Sequence, residues 1–135
     1  MSGESILVID DEEVMRDVMS TLLEAEGYRV TLASDGAEGL VLARKGSFDA
    51  AIVDVMLPEV SGLEVLEEIK KTDPELAVLM ITAFASVETA IQAMKKGAFD
   101  YVTKPFIPEE VLHILRNALN QRRLQDENRD LRLAL

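Results

Sequence analysis

Two hydrophobic periods alternate along the chain. Five short apolar runs have the composition of strands, and each precedes a stretch whose apolar residues recur at helical spacing. The predicted strands span residues 5–10, 28–33, 50–54, 77–82 and 99–103. The predicted helices span residues 12–25, 35–46, 61–73, 87–96 and 109–132.

Capping residues mark the ends of these helices. Asp35, Ser61 and Ser86 stand where a side-chain oxygen can accept a hydrogen bond from a free helix N–H. Gly27 and Gly97 follow the first and fourth helices, where a left-handed residue commonly ends a helix. The boundaries therefore agree with the hydrophobic pattern.

Five strand–helix units joined by short loops predict parallel strands and right-handed crossovers. The predicted fold class is α/β: a flavodoxin-like, doubly wound (βα)5 parallel sheet in strand order 2-1-3-4-5, with an extended C-terminal helix. Strands 1 and 3 then lie side by side, with Asp10 and Asp54 at their carboxyl ends. Ligands bind at that edge of such sheets.

The last predicted helix is longer than the sheet needs. We assign residues 1–120 to the globular domain and residues 121–135 to a helical linker that leads toward an effector domain. Beyond residue 120 the apolar residues thin out, with Leu124, Leu131 and Leu135 near heptad core spacing. This pattern fits either a solvated linker helix or a weak parallel coiled coil that pairs two chains.

Charge and composition narrow the choice of partner. The formal net charge is -11, and residues 1–108 carry all of the excess, because residues 109–135 hold equal numbers of acidic and basic residues. Such a domain repels nucleic acid, so we expect no direct nucleic acid contact by this chain. With no long apolar run, no basic N-terminal region and no cysteine, we expect a cytoplasmic protein without membrane contact.

Acidic residues at the ends of strands 1 and 3 predict a cation site. Asp10, Asp11 and Asp54 would lie close together there, and unit charges 4 Å apart repel by about 4 kcal/mol at an effective dielectric of 20. A cation relieves that repulsion. Carboxylate oxygens with room for water suit Mg²⁺, with Mn²⁺ as a substitute, and a cleft without His or Cys among its residues is a poor zinc site.

Strands 4 and 5 end in groups that suit a phosphoryl ligand. Thr82 offers a hydroxyl donor and Lys104 an ammonium group at the same predicted edge. A transferring phosphoryl group spreads its charge over three oxygens, which such donors stabilise. We therefore predict that Asp54 is a nucleophile that accepts a phosphoryl group.

These motifs resemble the receiver domain of two-component response regulators over residues 5–120. The resemblance is carried by motifs at the strand ends, namely Asp10-Asp11, Asp54 with Pro58 four residues on, Thr82-Ala83 and Lys104-Pro105-Phe106. The segment of residues 81–106, ITAFASVETAIQAMKKGAFDYVTKPF, is similar to receivers of the nitrogen-regulatory class, which act on sigma-54-dependent transcription activators.

The resemblance implies a role for each site residue. Asp54 would accept a phosphoryl group from the phosphohistidine of a sensor histidine kinase, or from a small acyl phosphate. Asp11, Asp54 and the backbone carbonyl of Met56 would bind Mg²⁺ directly, and Asp10 partly through water. Lys104 would contact the phosphoryl oxygens. The chain would be a phosphoacceptor signalling domain, with self-catalysed phosphotransfer and autodephosphorylation, and not an enzyme.

The resemblance also implies a conformational switch. Thr82 would turn toward the phosphoryl group, Tyr101 would move from an exposed to a buried rotamer, and the face of helix 4, strand 5 and helix 5 would repack. That face and the C-terminal helix would form a homodimer, and an effector ATPase domain would follow in the full-length protein. Lys104-Pro105 would be a cis bond, and Met56 and Phe84 would tune dephosphorylation.

Alternative functions fit the sequence less well. An aspartyl-nucleophile phosphohydrolase would need a substrate cap, which no segment here forms. A flavin carrier would need a phosphate loop rich in Ser, Thr and Gly after strand 1, where this chain has acidic residues. A receiver of another output class remains open. We expect His113, the only histidine, to be structural.

Overall fold

Five parallel strands form one sheet in the order β2-β1-β3-β4-β5, which confirms the predicted topology. A computed structural model describes residues 3–83 and 86–134, apart from the side chains of residues 125 and 128–134. The strands are β1 (Ser5–Ile9), β2 (Arg29–Ala33), β3 (Ala50–Asp54), β4 (Ala77–Thr82) and β5 (Asp100–Thr103). The helices are α1 (Glu13–Glu24), α2 (Gly36–Lys45), α3 (Gly62–Thr72), α4 (Val87–Lys95) and α5 (Pro108–Ala134).

The ends of the helices follow the predicted caps. Side-chain oxygens of Asp35, Ser61 and Ser86 accept hydrogen bonds from the backbone N–H three residues on. Gly27 has a φ of 91°, which a residue with a side chain rarely adopts. Glu12, at the N-cap of α1, makes no capping hydrogen bond with its side chain.

Each face of the sheet has its own hydrophobic core. On β1, Leu7 and Ile9 pack into the core beneath α2, α3 and α4, whereas Ile6 and Val8 pack into the core beneath α1 and α5. Successive side chains of a strand point to opposite faces. A strand covered on both faces therefore needs a continuous apolar run, as residues 6–9 of β1 and 50–53 of β3 have.

Close packing behind β3 places the strand end and the start of α3. The Gly62 N–H donates to the Val55 carbonyl at 2.9 Å. A Cβ atom at Gly62 would collide with the backbone carbonyl of Asp54 and with the Val55 Cα. Only glycine therefore allows α3 to begin so close to the end of β3.

Helix α5 extends beyond the sheet, as predicted. It has 27 residues, which span about 40 Å at 1.5 Å per residue. Val111, Leu115 and Leu119 are buried against the sheet, whereas Leu124 is 52% exposed. The other leucines of the predicted heptad have side chains outside the described residues, so the coiled coil stays a prediction. No described helix is long and apolar enough to cross a membrane.

Candidate functional site

The carboxyl ends of four strands bring together four of the residues that the sequence analysis singled out. Asp10 follows β1, Asp54 ends β3, Thr82 ends β4 and Lys104 follows β5. β1 and β3 are adjacent, with Ile9 paired to Val53, so the two aspartates leave the sheet side by side. The relative exposures of Asp10, Asp54 and Thr82 are 4%, 5% and 0%.

Three carboxylates form an acidic pocket at this edge, which we define as Asp10, Glu12 and Asp54. One oxygen from each lies within 4.8 Å of the other two. The Lys104 ammonium contacts all three, at 2.9 Å from Asp54 Oδ2, 3.1 Å from Asp10 Oδ2 and 3.1 Å from Glu12 Oε1. Lysine therefore offsets much of the repulsion among the carboxylates.

Backbone donors orient the two buried aspartates. The Met56 N–H donates to Asp54 Oδ1 at 2.9 Å, and the Glu12 N–H donates to Asp10 Oδ1 at 2.9 Å. The Arg16 guanidinium donates to the Asp10 backbone carbonyl at 2.8 Å. Each aspartate is thus held at one oxygen by the backbone and at the other by Lys104.

The electrostatics of the acidic pocket shift two pKa values. Burial raises the pKa of Asp10 above its usual 3.8, although the Glu12 N–H and Lys104 act in the opposite direction. Burial alone would lower the pKa of Lys104, but hydrogen bonds to Asp54 and Asp10 outweigh it and raise that pKa above the usual 10.5. Lys104 therefore stays charged throughout the physiological range.

The donor set of the acidic pocket fits a hard divalent cation. Its three carboxylates converge at the carboxyl edge of the sheet, and the backbone holds two of them rigidly, so Asp10 and Asp54 are placed to hold Mg²⁺. Bound magnesium would supply positive charge to a phosphoryl group there.

Two of the predicted metal ligands, Asp11 and Met56, are not among the three carboxylates of the acidic pocket. Asp11 is exposed and does not join it, whereas Glu12, which the sequence analysis did not select, does. Met56 is 55% exposed, and its backbone N–H is bonded to Asp54. The metal-binding roles of Asp11 and the Met56 carbonyl stay predictions. The only sequence signal for Glu12 was its place after Asp10 and Asp11.

Of the two predicted switch residues, Thr82 ends β4 at the site and Tyr101 lies on β5. Tyr101 is partly buried against the core beneath α2, α3 and α4, and burial raises the pKa of its hydroxyl, opposed by a hydrogen bond with the Ser86 backbone. Lys104-Pro105 is cis, as the resemblance implied. Phe84, the predicted tuning residue, lies outside the described residues.

Comparison with known proteins identifies the family. Residues 6–116 match the family model described as response regulator receiver domain. The chain belongs to this family. It is 44% identical over 128 residues to the uncharacterized transcriptional regulatory protein YkoG of Bacillus subtilis, covering 95% of this chain and 56% of YkoG.

Solved structures agree with this assignment. NtrX from Brucella abortus in complex with ATP has a TM-score of 0.88 and 35% identity, covering 94% of this chain and 29% of that one. A Burkholderia pseudomallei response regulator, solved with a phosphorylated aspartic acid, a calcium ion and citrate, has a TM-score of 0.80 and 34% identity. The match covers 91% of this chain and 72% of that one. The receiver is thus a phosphoacceptor signalling module whose acidic pocket comprises Asp10, Glu12 and Asp54.

Proposed function

We propose that Asp54 accepts a phosphoryl group from the phosphohistidine of a sensor histidine kinase, in a reaction that requires Mg²⁺. The observation that carries this proposal is the contact of Lys104 Nζ with Asp54 Oδ2 at 2.9 Å inside the acidic pocket. It is supported by the phosphorylated aspartic acid in the related Burkholderia protein.

Phosphotransfer would form one bond and break another. An Asp54 carboxylate oxygen attacks phosphorus, the phosphorus–nitrogen bond breaks, and the imidazole leaves with the electron pair and takes up a proton. The product is an aspartyl phosphate, an acyl phosphate. Lys104 and the Thr82 hydroxyl donate hydrogen bonds to the phosphoryl oxygens, whose charge needs such donors. Asp10 helps to hold Lys104 in place.

Phosphorylation would act through the face formed by α4, β5 and α5. Thr82 turns toward the phosphoryl group and Tyr101 follows into the space behind it. Three apolar side chains of α4 are exposed, Val87 by 78%, Ile91 by 47% and Met94 by 49%. This stripe and the extension of α5 suit a homodimer, because pairing would bury apolar surface.

The output that we propose is control of a sigma-54-dependent transcription activator through an ATPase domain. The similarity to NtrX, solved in complex with ATP, supports this class, as does the long α5. The similarity to YkoG supports the alternative of a receiver with another output. This chain spans 56% of YkoG but only 29% of NtrX, so YkoG has a much smaller share of its sequence outside the matched region. With its net charge of -11, the chain itself makes no nucleic acid contact in either case.

Acetyl phosphate labelling tests the phosphoacceptor. With Mg²⁺, we expect a retarded band on phosphate-affinity gels for wild type and for Asp17→Asn, an exposed aspartate of α1 outside the acidic pocket. We expect no band for Asp54→Asn or in excess chelator. Labelling that persists in a folded Asp54→Asn protein would place the nucleophile elsewhere.

Light scattering tests the proposed switch. Beryllofluoride with Mg²⁺ mimics an aspartyl phosphate, so we expect the mass in solution to change for wild type and to stay constant for Asp54→Asn. Replacing Ile91 in the exposed α4 stripe by Asp should abolish a gain in mass. An unchanged mass in wild type that binds beryllofluoride would refute the oligomer switch and leave the phosphoacceptor intact.

A further inference from the structure

We propose that Glu12 is a latch that holds Lys104 in the resting receiver and slows phosphorylation of Asp54. Glu12 would act as a positioning residue through Lys104 and not on the reacting atoms. This inference rests on the proposed function, because it takes Asp54 as the phosphoacceptor. It explains why a third carboxylate joins the two buried aspartates.

The donors of Lys104 are fully used in the resting protein. An ammonium group has three N–H donors. Three carboxylates accept from Lys104 Nζ, those of Asp10, Glu12 and Asp54, at distances of 2.9–3.1 Å. A phosphoryl oxygen therefore gains a donor from Lys104 only when one of these carboxylates gives it up.

Glu12 is the partner that can leave. The carboxylates of Asp10 and Asp54 are buried, and a backbone N–H holds the second oxygen of each. The Glu12 side chain is 63% exposed, and the structure shows no partner for it other than Lys104 among the described residues. Its carboxylate can thus move into water without leaving a buried charge unpaired.

The local structure of α1 agrees with this role. Glu12 occupies the N-cap position, where Ser, Thr, Asp and Asn are preferred because their short side chains reach the helix N–H groups. The capped helices α2, α3 and α4 use Asp35, Ser61 and Ser86. The Glu12 side chain instead reaches Lys104, 92 positions away in the chain.

The test compares initial rates of Asp54 phosphorylation by acetyl phosphate at saturating Mg²⁺. We expect Glu12→Gln to raise the rate about two- to fivefold, which corresponds to about 0.4–1 kcal/mol at 1.36 kcal/mol per tenfold and matches an exposed ion pair. Glu12→Asp keeps the charge but loses one methylene of reach, so we expect the same rise. Glu13→Gln removes an equal charge one position away, and we expect the wild-type rate.

Each outcome decides the question. A general charge effect would raise the rate equally in Glu12→Gln and Glu13→Gln and leave Glu12→Asp at the wild-type rate. That result would overturn the latch. An unchanged or lower rate for Glu12→Gln would also overturn the latch. A tenfold loss of Mg²⁺ affinity in Glu12→Gln would overturn it as well, because it would make Glu12 a metal ligand. Absence of phosphorylation in wild type as well would refute the proposed function itself.

Discussion

Lys104→Met removes the charge that holds the acidic pocket together. Methionine keeps the apolar length of the side chain but leaves Asp10 and Asp54 buried without their cation. Removing one partner of a buried ion pair costs about 3–5 kcal/mol. Because the pocket lies at an edge of the sheet and the Lys104 side chain is 10% exposed, water can enter. We therefore expect the lower end, about 3 kcal/mol of unfolding free energy, or about 10 °C in Tm.

Urea denaturation at pH 7 in excess chelator measures this loss. Lys71→Met is the control, because Lys71 pairs with Glu68 at an exposed site, with 73% and 44% of the two side chains accessible. We expect it to change the free energy of unfolding by less than about 0.5 kcal/mol. Magnesium should stabilise wild type by up to about 2.7 kcal/mol at a hundredfold excess over Kd. It should stabilise Lys104→Met more, because the carboxylates of that variant have lost their cation, and so narrow the gap between the two proteins.

The pH dependence gives a second check on the same variant. The pKa of Lys104 is raised on folding, so its contribution to stability is complete below its unfolded pKa of about 10.5 and is lost as pH rises through the folded value. The gap between wild type and Lys104→Met should therefore be constant from neutral pH to about pH 10. A loss under about 1 kcal/mol at pH 7, where removal of a buried partner costs several, would refute the assigned role of Lys104.

Two further substitutions test the buried groups of the site. Burial raises the pKa of Asp10 above 3.8, so ionising it costs stability as pH rises. In urea denaturation with chelator, the stability of Asp10→Asn relative to that of wild type should therefore rise as the pH goes from about 3 to about 7. A difference in stability that stays constant over this range would contradict this. In Gly62→Ala the new Cβ would collide with the Asp54 carbonyl, so we expect a loss of about 1–3 kcal/mol and slower labelling. Gly46→Ala, whose Cβ would mainly meet the Phe48 ring, is its control, and equal losses would exclude a special role for Gly62.

The sequence by itself determined the elements, the sheet order and the chemistry of the strand ends. Continuous apolar runs such as residues 50–53 require burial on both faces, and short connections require parallel crossovers. Because all strands of a parallel sheet end at one edge, the positions of Asp10, Asp54, Thr82 and Lys104 followed from the pattern alone. These are properties of local periodicity and topology, which a sequence encodes directly.

Only the tertiary structure decided which acidic residue meets Lys104. Asp11 and Glu12 are adjacent in the chain, and nothing in their spacing distinguishes them. The turn after β1 leaves Asp11 exposed and brings Glu12 Oε1 to 3.1 Å from Lys104 Nζ. That contact joins two loops distant in sequence and depends on side-chain rotamers and strand register. Local sequence preferences do not specify these features, because packing across the sheet determines them.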